Sequence, residues 1–175
     1  SQEERTALRT AIFSRGIDPF LEIHTARSEW WTQATHNWRS VMTGSFARGA
    51  MAFADVFPDW RELVGYGIEG VLVVLESGDR AGGWQEGPGY WEYGIGHCAE
   101  LAHALAVFTG GAVDLFRHRY LKHAGDFRIH MAVGPDRVWA WSDCDKRASG
   151  SLALCILARR YRNPCYQHAA LASGI

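Results

Sequence analysis

The stretch Phe46-Ala47-Arg48-Gly49-Ala50-Met51-Ala52-Phe53-Ala54-Asp55-Val56-Phe57-Pro58-Asp59-Trp60-Arg61-Glu62-Leu63-Val64 decides the fold class. Phe46, Ala50, Phe53, Ala54 and Phe57 recur at i, i+4, i+7, i+8 and i+11, the spacing of one face of a helix. Pro58 lacks an N–H and fixes its own φ, so it stops that helix. Asp59 is placed to cap a second helix, with Glu62 three residues on as its capping-box partner. Trp60, Leu63, Val64, Gly67, Val71, Val74 and Leu75 then keep helical spacing as far as Ser77-Gly78. A two-residue link between helices of this length predicts an antiparallel hairpin.

The pattern extends in both directions. Residues 2–15 carry Leu8, Ala11 and Ile12 on one face, and Ser1 to Arg5 reads as a helix already under way. Asp18-Pro19 predicts a restart, with Asp18 as N-cap, Pro19 at the first helical position, and a second helix over Phe20 to Ala34. Downstream, Asp79 to Gly89 is too rich in glycine for a regular element. Cys98, Leu101, Ala102, Leu105 and Phe108 then mark a helix closed by Gly110-Gly111, and Val113 to Leu121 a short one. Residues 125–147 break the pattern. Gly134-Pro135-Asp136 reads as a turn, and Arg137 to Trp141 sets Val138 and Ala140 against Trp139 and Trp141. Helix returns over Ser149 to Arg160, and Asn163-Pro164 leads a last one to Ala172. With no repeat and no low-complexity segment, the expectation is one all-α domain over residues 1–175. It would be built of antiparallel helical hairpins, with a small extended segment near 126–142.

Composition narrows the function. A chain of 175 residues can bury one sizeable core. A net charge of −1 gives no field that recommends nucleic acid as a partner. No apolar run approaches the roughly 18 residues of a membrane span, and no signal peptide is visible. Cys98, Cys144, Cys155 and Cys165 form no CxxC pair, which argues against a zinc ribbon. His97-Cys98 with His103 does not place its members on one helix face, so neither metal nor cofactor is expected. Eight tryptophans within a 13% aromatic share fit either a core or a groove whose rings stack on sugars.

Two stretches stand out chemically. Thr35-His36-Asn37-Trp38-Arg39 opens one helix, and Gly82-Gly83-Trp84-Gln85-Glu86-Gly87-Pro88-Gly89-Tyr90-Trp91-Glu92-Tyr93-Gly94 leads into another. Helix N-termini present free N–H groups and a positive dipole end, which suits an anionic group.

Together these stretches resemble the helical domain of heparinase II/III-like polysaccharide lyases over about residues 30–145. The resemblance implies an incomplete (α/α) toroid followed by antiparallel β-sandwich domains of the same protein. The chain would then be a fragment of a longer, periplasmic or secreted lyase that acts on an anionic, uronic-acid-containing polysaccharide. It assigns Asn37 to neutralising the substrate carboxylate, Tyr90 to acid/base work, and His36 to the site. Trp38, Arg39, Trp84, Glu86, Trp91 and Tyr93 become substrate contacts. A tyrosine base also needs a nearby cation, for which Arg39, Arg48 and His97 are candidates. The sequence departs from the family in carrying His36 where an Asn often stands. The family's later catalytic histidine has no motif match in His118, His123 or His130. Trp141-Ser142-Asp143-Cys144 matches a structural turn.

Two other classes compete. A toroid glycosidase needs two carboxylates about 5–9.5 Å apart, and Glu86 and Glu92 are the dense pair. A non-catalytic glycan-binding or scaffold domain needs neither a base nor a carboxylate pair.

Overall fold

Small residues bring the two central helices together. The computed structural model describes residues 1–134, 136–147 and 150–172. Helices α3 (Asn37–Ala52) and α4 (Trp60–Ser77) form a hairpin. A Cβ built on Gly67 would lie 2.2 Å from the Ala47 Cβ, and one on Gly70 would lie 2.2 Å from the Thr43 Oγ1. The Ser77 hydroxyl donates to the Thr35 carbonyl at 2.6 Å. Positions 47, 43 and 35 thus meet 67, 70 and 77 in turn, so the helices are antiparallel as expected. Contact this close leaves no room for large side chains at the seam.

The expected phenylalanine stripe is therefore not the face that α3 buries. That face is Ser40, Thr43, Gly44, Ala47, Ala50 and Met51, while Phe53 is 43% exposed and Phe57 is buried beyond the helix end. The α4 face is the expected one: Leu63, Val64, Gly67, Val71, Val74 and Leu75 are all buried. The link spans residues 53–59 rather than two residues. Asp59 makes no side-chain cap, and Glu62 instead accepts from the Tyr66 hydroxyl at 2.5 Å. The expected capping box is absent.

After the glycine-rich loop, α5 (Gly87–Tyr90) runs through a π-helical turn, Trp91–Ile95, into α6 (Gly96–Phe108). Cys98, Leu101, Ala102 and Leu105 are buried as expected, but Phe108 is 45% exposed. Gly110 and Gly111 end α6 at φ +59° and +88°, with the Gly111 N–H returning to the Ala106 carbonyl at 2.8 Å. A 3₁₀ turn, Leu115–Arg117, precedes α7 (Arg119–His130). Helix α7 thus continues well past residue 125, where a break was expected. Tyr120, Leu121, Ala124, Gly125 and Arg128 keep a helical period on its buried side.

The extended segment is a small antiparallel pair, β1 (Ala132–Gly134) and β2 (Arg137–Val138). Val138 is buried and Trp139 is 67% exposed, as alternation requires. Pro135 and Ser149, named in the expected turn and helix start, lie outside the described residues. Ser151 caps α8 (Leu152–Tyr161) by accepting from the Leu154 N–H at 3.0 Å. The Asn163 side chain caps α9 (Pro164–Ala172) through the Cys165 and Tyr166 N–H groups, as its sequence predicted.

The chain divides into two compact units, residues 1–34 and 35–175. In the first, α1 (Gln2–Ile12) continues through a π turn, Phe13–Ile17, into α2 (Asp18–Ala26), followed by a 3₁₀ turn, Trp30–Gln33. Ser1 forms a capping box with Glu4. Asp18 does not act as a cap, because the helical backbone runs straight through it. Helix α2 ends at Ala26 rather than Ala34, where Arg27 turns left-handed at φ 50°. Phe20 stacks on Trp31 with centroids 5.7 Å apart. Among the described residues the chain is all-α apart from the β1–β2 pair, and no helix is long and apolar enough to cross a membrane. Every candidate site residue falls in the second unit.

Candidate functional site

The two chemical motifs meet through one carboxylate. Asn37 is the first residue of α3, so its N–H has no partner within the helix. That N–H donates to Glu86 Oε2 at 2.9 Å, and the Asn37 amide donates to Glu86 Oε1 at 2.6 Å. His36 Nδ1 lies 3.6 Å from the same carboxylate. The anion drawn to this helix terminus is thus the protein's own. Asn37 is 3% exposed, and its amide donor is committed to Glu86 rather than held open for a substrate carboxylate.

Glycines allow this closure. A Cβ on Gly94 would lie 2.9 Å from the Asn37 Cβ, and the Ser40 hydroxyl donates to the Gly94 carbonyl at 3.0 Å. Gly87 has φ +86°, and a Cβ there would lie 2.6 Å from the Trp141 carbonyl oxygen. That region of backbone space and that clearance both favour glycine. The Trp141-Ser142-Asp143-Cys144 turn is the buttress on this side, which agrees with its structural reading.

The other predicted contacts divide by exposure. Trp84 and Trp91 are 2% and 0% exposed. They are core residues and offer no face to a sugar, which corrects their assignment as substrate contacts. Arg39 is also buried. It bonds Glu69 at 3.2 Å across the α3–α4 hairpin, so its charge serves the hairpin. Trp38 and Tyr93 are 47% and 50% exposed. Tyr90 is half-buried, and its hydroxyl makes no hydrogen bond among the described residues. It ends the short helix α5, whose N-cap position is Glu86.

Beside Tyr93 lies a cleft of about 330 Å³, whose lining does not include Tyr90. Gly89 and Tyr93, which flank Tyr90 in the chain, line it together with Glu92, His97, Arg128 and Arg147. The Tyr93 ring meets the His97 ring edge-on at 5.4 Å. Arg48 donates to His97 Nδ1 at 3.0 Å and pairs with Glu100. Neutral His97 therefore carries its proton on Nε2. Burial, and then the Arg48 charge, lower its pKa. Burial pushes the Glu92 carboxyl up, against hydrogen bonds from Ser151 and Ala153 and the charge of Arg128.

Glu86 and Glu92, the pair a glycosidase would use, are each engaged at a helix start. Glu86 is spent at the start of α3, and Glu92 accepts from the Ala153 N–H at the start of α8, at 3.4 Å. Sequence reasoning missed Arg128. Its signal was an arginine at the buried period of α7, in register with Leu121 and Ala124, hidden by the expected break at 125. Among the described residues no group of three or more His, Cys, Asp or Glu side chains could hold a metal ion. The four cysteines are free thiols. The chain matches no protein-family model, no curated protein and no solved structure.

Proposed function

We propose that this chain is the helical part of a polysaccharide lyase that cleaves a uronic-acid-containing polymer by β-elimination. The observation that carries the reading is the Glu86 bridge. It joins His36 and Asn37 to the turn bearing Tyr90, across 49 residues of sequence, at the edge of a cleft with a histidine and two arginines. In the elimination a base removes the C5 proton of the uronate, the C4–O bond breaks, and the electron pair forms the C4=C5 double bond. The leaving oxygen is protonated. Tyr90 is the acid/base in this reading, carried over from the motif, and its hydroxyl makes no hydrogen bond among the described residues. Tyr93 offers the sugar an aromatic face. Asn37 and Glu86 are positioning residues that fix the turn against α3, and His36 faces the same carboxylate.

The test follows absorbance at the ultraviolet band of a 4,5-unsaturated uronate. The full-length polypeptide containing this chain is incubated with alginate, heparan-type, hyaluronan-type and pectic polymers. Absorbance that appears and is lost in Tyr90→Phe supports the reading. Loss in Tyr93→Phe alone would exchange the two tyrosine roles. New reducing ends without absorbance, or no cleavage of any polymer, would contradict it.

A further inference from the structure

Arg128 carries a positive charge to the wall of the cleft. It projects from the buried side of α7, is 6% exposed, and lines the cleft beside Tyr93. Among the described residues its guanidinium makes no hydrogen bond and no contact ion pair. Glu92 and Cys144 influence it electrostatically. None of the Arg128 nitrogens is sealed from solvent, so its donors stay open to a group entering the cleft. The carboxylates of the cleft each accept from a protein group, although Glu92 Oε2 is left without one, and the Arg147 guanidinium, like that of Arg128, makes no hydrogen bond among the described residues. Glu100 pairs with Arg48, Asp145 accepts from the Arg147 N–H at 3.1 Å, and Glu92 accepts from α8. Across the turn, the helix N-terminus that would attract an anion is filled by Glu86.

We propose that Arg128 binds a carboxylate of the uronide lying in this cleft, and so selects acidic over neutral sugars. The inference rests on the lyase reading and gives Arg128 the anion-recognition role that the sequence had suggested for Asn37. A guanidinium offers two parallel N–H donors that match a carboxylate in plane and spacing. Exposed Tyr93 supplies the ring face beside it.

The test measures binding apart from cleavage. The probes are trimers of mannuronate, galacturonate and glucuronate, with their carboxyl-reduced neutral counterparts, titrated by calorimetry into full-length Tyr90→Phe protein. At least one acidic trimer should bind, and its neutral counterpart about 10-fold or more weakly. Adding Arg128→Gln should remove that preference, and Arg128→Lys should restore part of it. Near-ultraviolet circular dichroism checks that each variant is folded, and Lys rescue separates recognition from a packing role. Equal preference in the Arg128→Gln protein would overturn the inference, and if the wild type still eliminates, the lyase reading stands without it. Arg128-dependent binding without elimination would support the carboxylate site and sink the lyase reading. No preference for any acidic trimer would overturn the inference.

Discussion

The glycine-rich turn has two flanks that use similar residues for different ends. On one flank Glu86 closes on Asn37, with donors and acceptors at 2.6 and 2.9 Å. On the other, Arg128 is nearly as buried as Asn37 yet reaches the cleft without a hydrogen-bond partner among the described residues. The first flank is finished by the chain itself, and the second is the one proposed to be completed by a ligand. Polar residue type and burial are shared, so it is the match between donors and acceptors that separates architecture from chemistry.

The largest expected effect falls on the open flank. Tyr90→Phe should reduce elimination by about 10²–10⁴-fold while leaving the thermal midpoint nearly unchanged, as read by the absorbance assay and by calorimetry. A loss of stability to match the loss of rate would make Tyr90 part of the closed flank. The closed flank should respond in the opposite sense. Glu86→Ala strands two donors at the start of α3 and should destabilise the second unit by roughly 2–4 kcal/mol, measured by denaturant unfolding. A change below about 0.5 kcal/mol, the range of ordinary surface substitutions, would show that the bridge contributes little. Gly94→Ala presses a methyl group into Asn37 and should cost roughly 1–3 kcal/mol. If it is neutral, the turn can recede from α3 and the closeness of the two motifs is not enforced.

The smallest effect concerns His97. Its folded pKa lies below the ordinary histidine value of 6.5, chiefly through burial, so the folded state takes up its proton less readily than the unfolded chain. The stability linked to neutral His97 is therefore fully present above about pH 6.5 and declines as pH falls below it. His97→Gln should flatten the slope of thermal midpoint against pH in that acidic range by a fraction of one proton. An unchanged slope would remove His97 from the open flank's electrostatics.

The helix start and the glycine-rich turn of the closed flank were legible in the sequence, but Asn37 and Glu86 were read as substrate contacts, and their pairing with each other was not foreseen. Asn37 and Glu86 stand in motifs whose helix-start position and glycine spacing are local signals. The α4 face and the Asn163 cap could be read for the same reason. The phenylalanine stripe of α3 misled because period alone does not say which of two faces meets a neighbour. That choice was made by Gly67 and Gly70 on another helix. The tryptophans at 84 and 91 misled similarly, since an aromatic ring suits a core as well as a sugar. Arg128 was hidden because its environment is assembled from the α5–α6 turn, α7 and the 144–147 segment, which only tertiary structure brings together.

The central claim is that the reaction is an elimination carried out at this turn. The most direct measurement is mass spectrometry of the oligosaccharides released by the full-length wild type and by Tyr90→Phe. The account predicts products carrying an unsaturated non-reducing end, with no water added across the cleaved bond, from the wild type alone. Products each formed by addition of one water, or unsaturated products at wild-type yield from Tyr90→Phe, would contradict it.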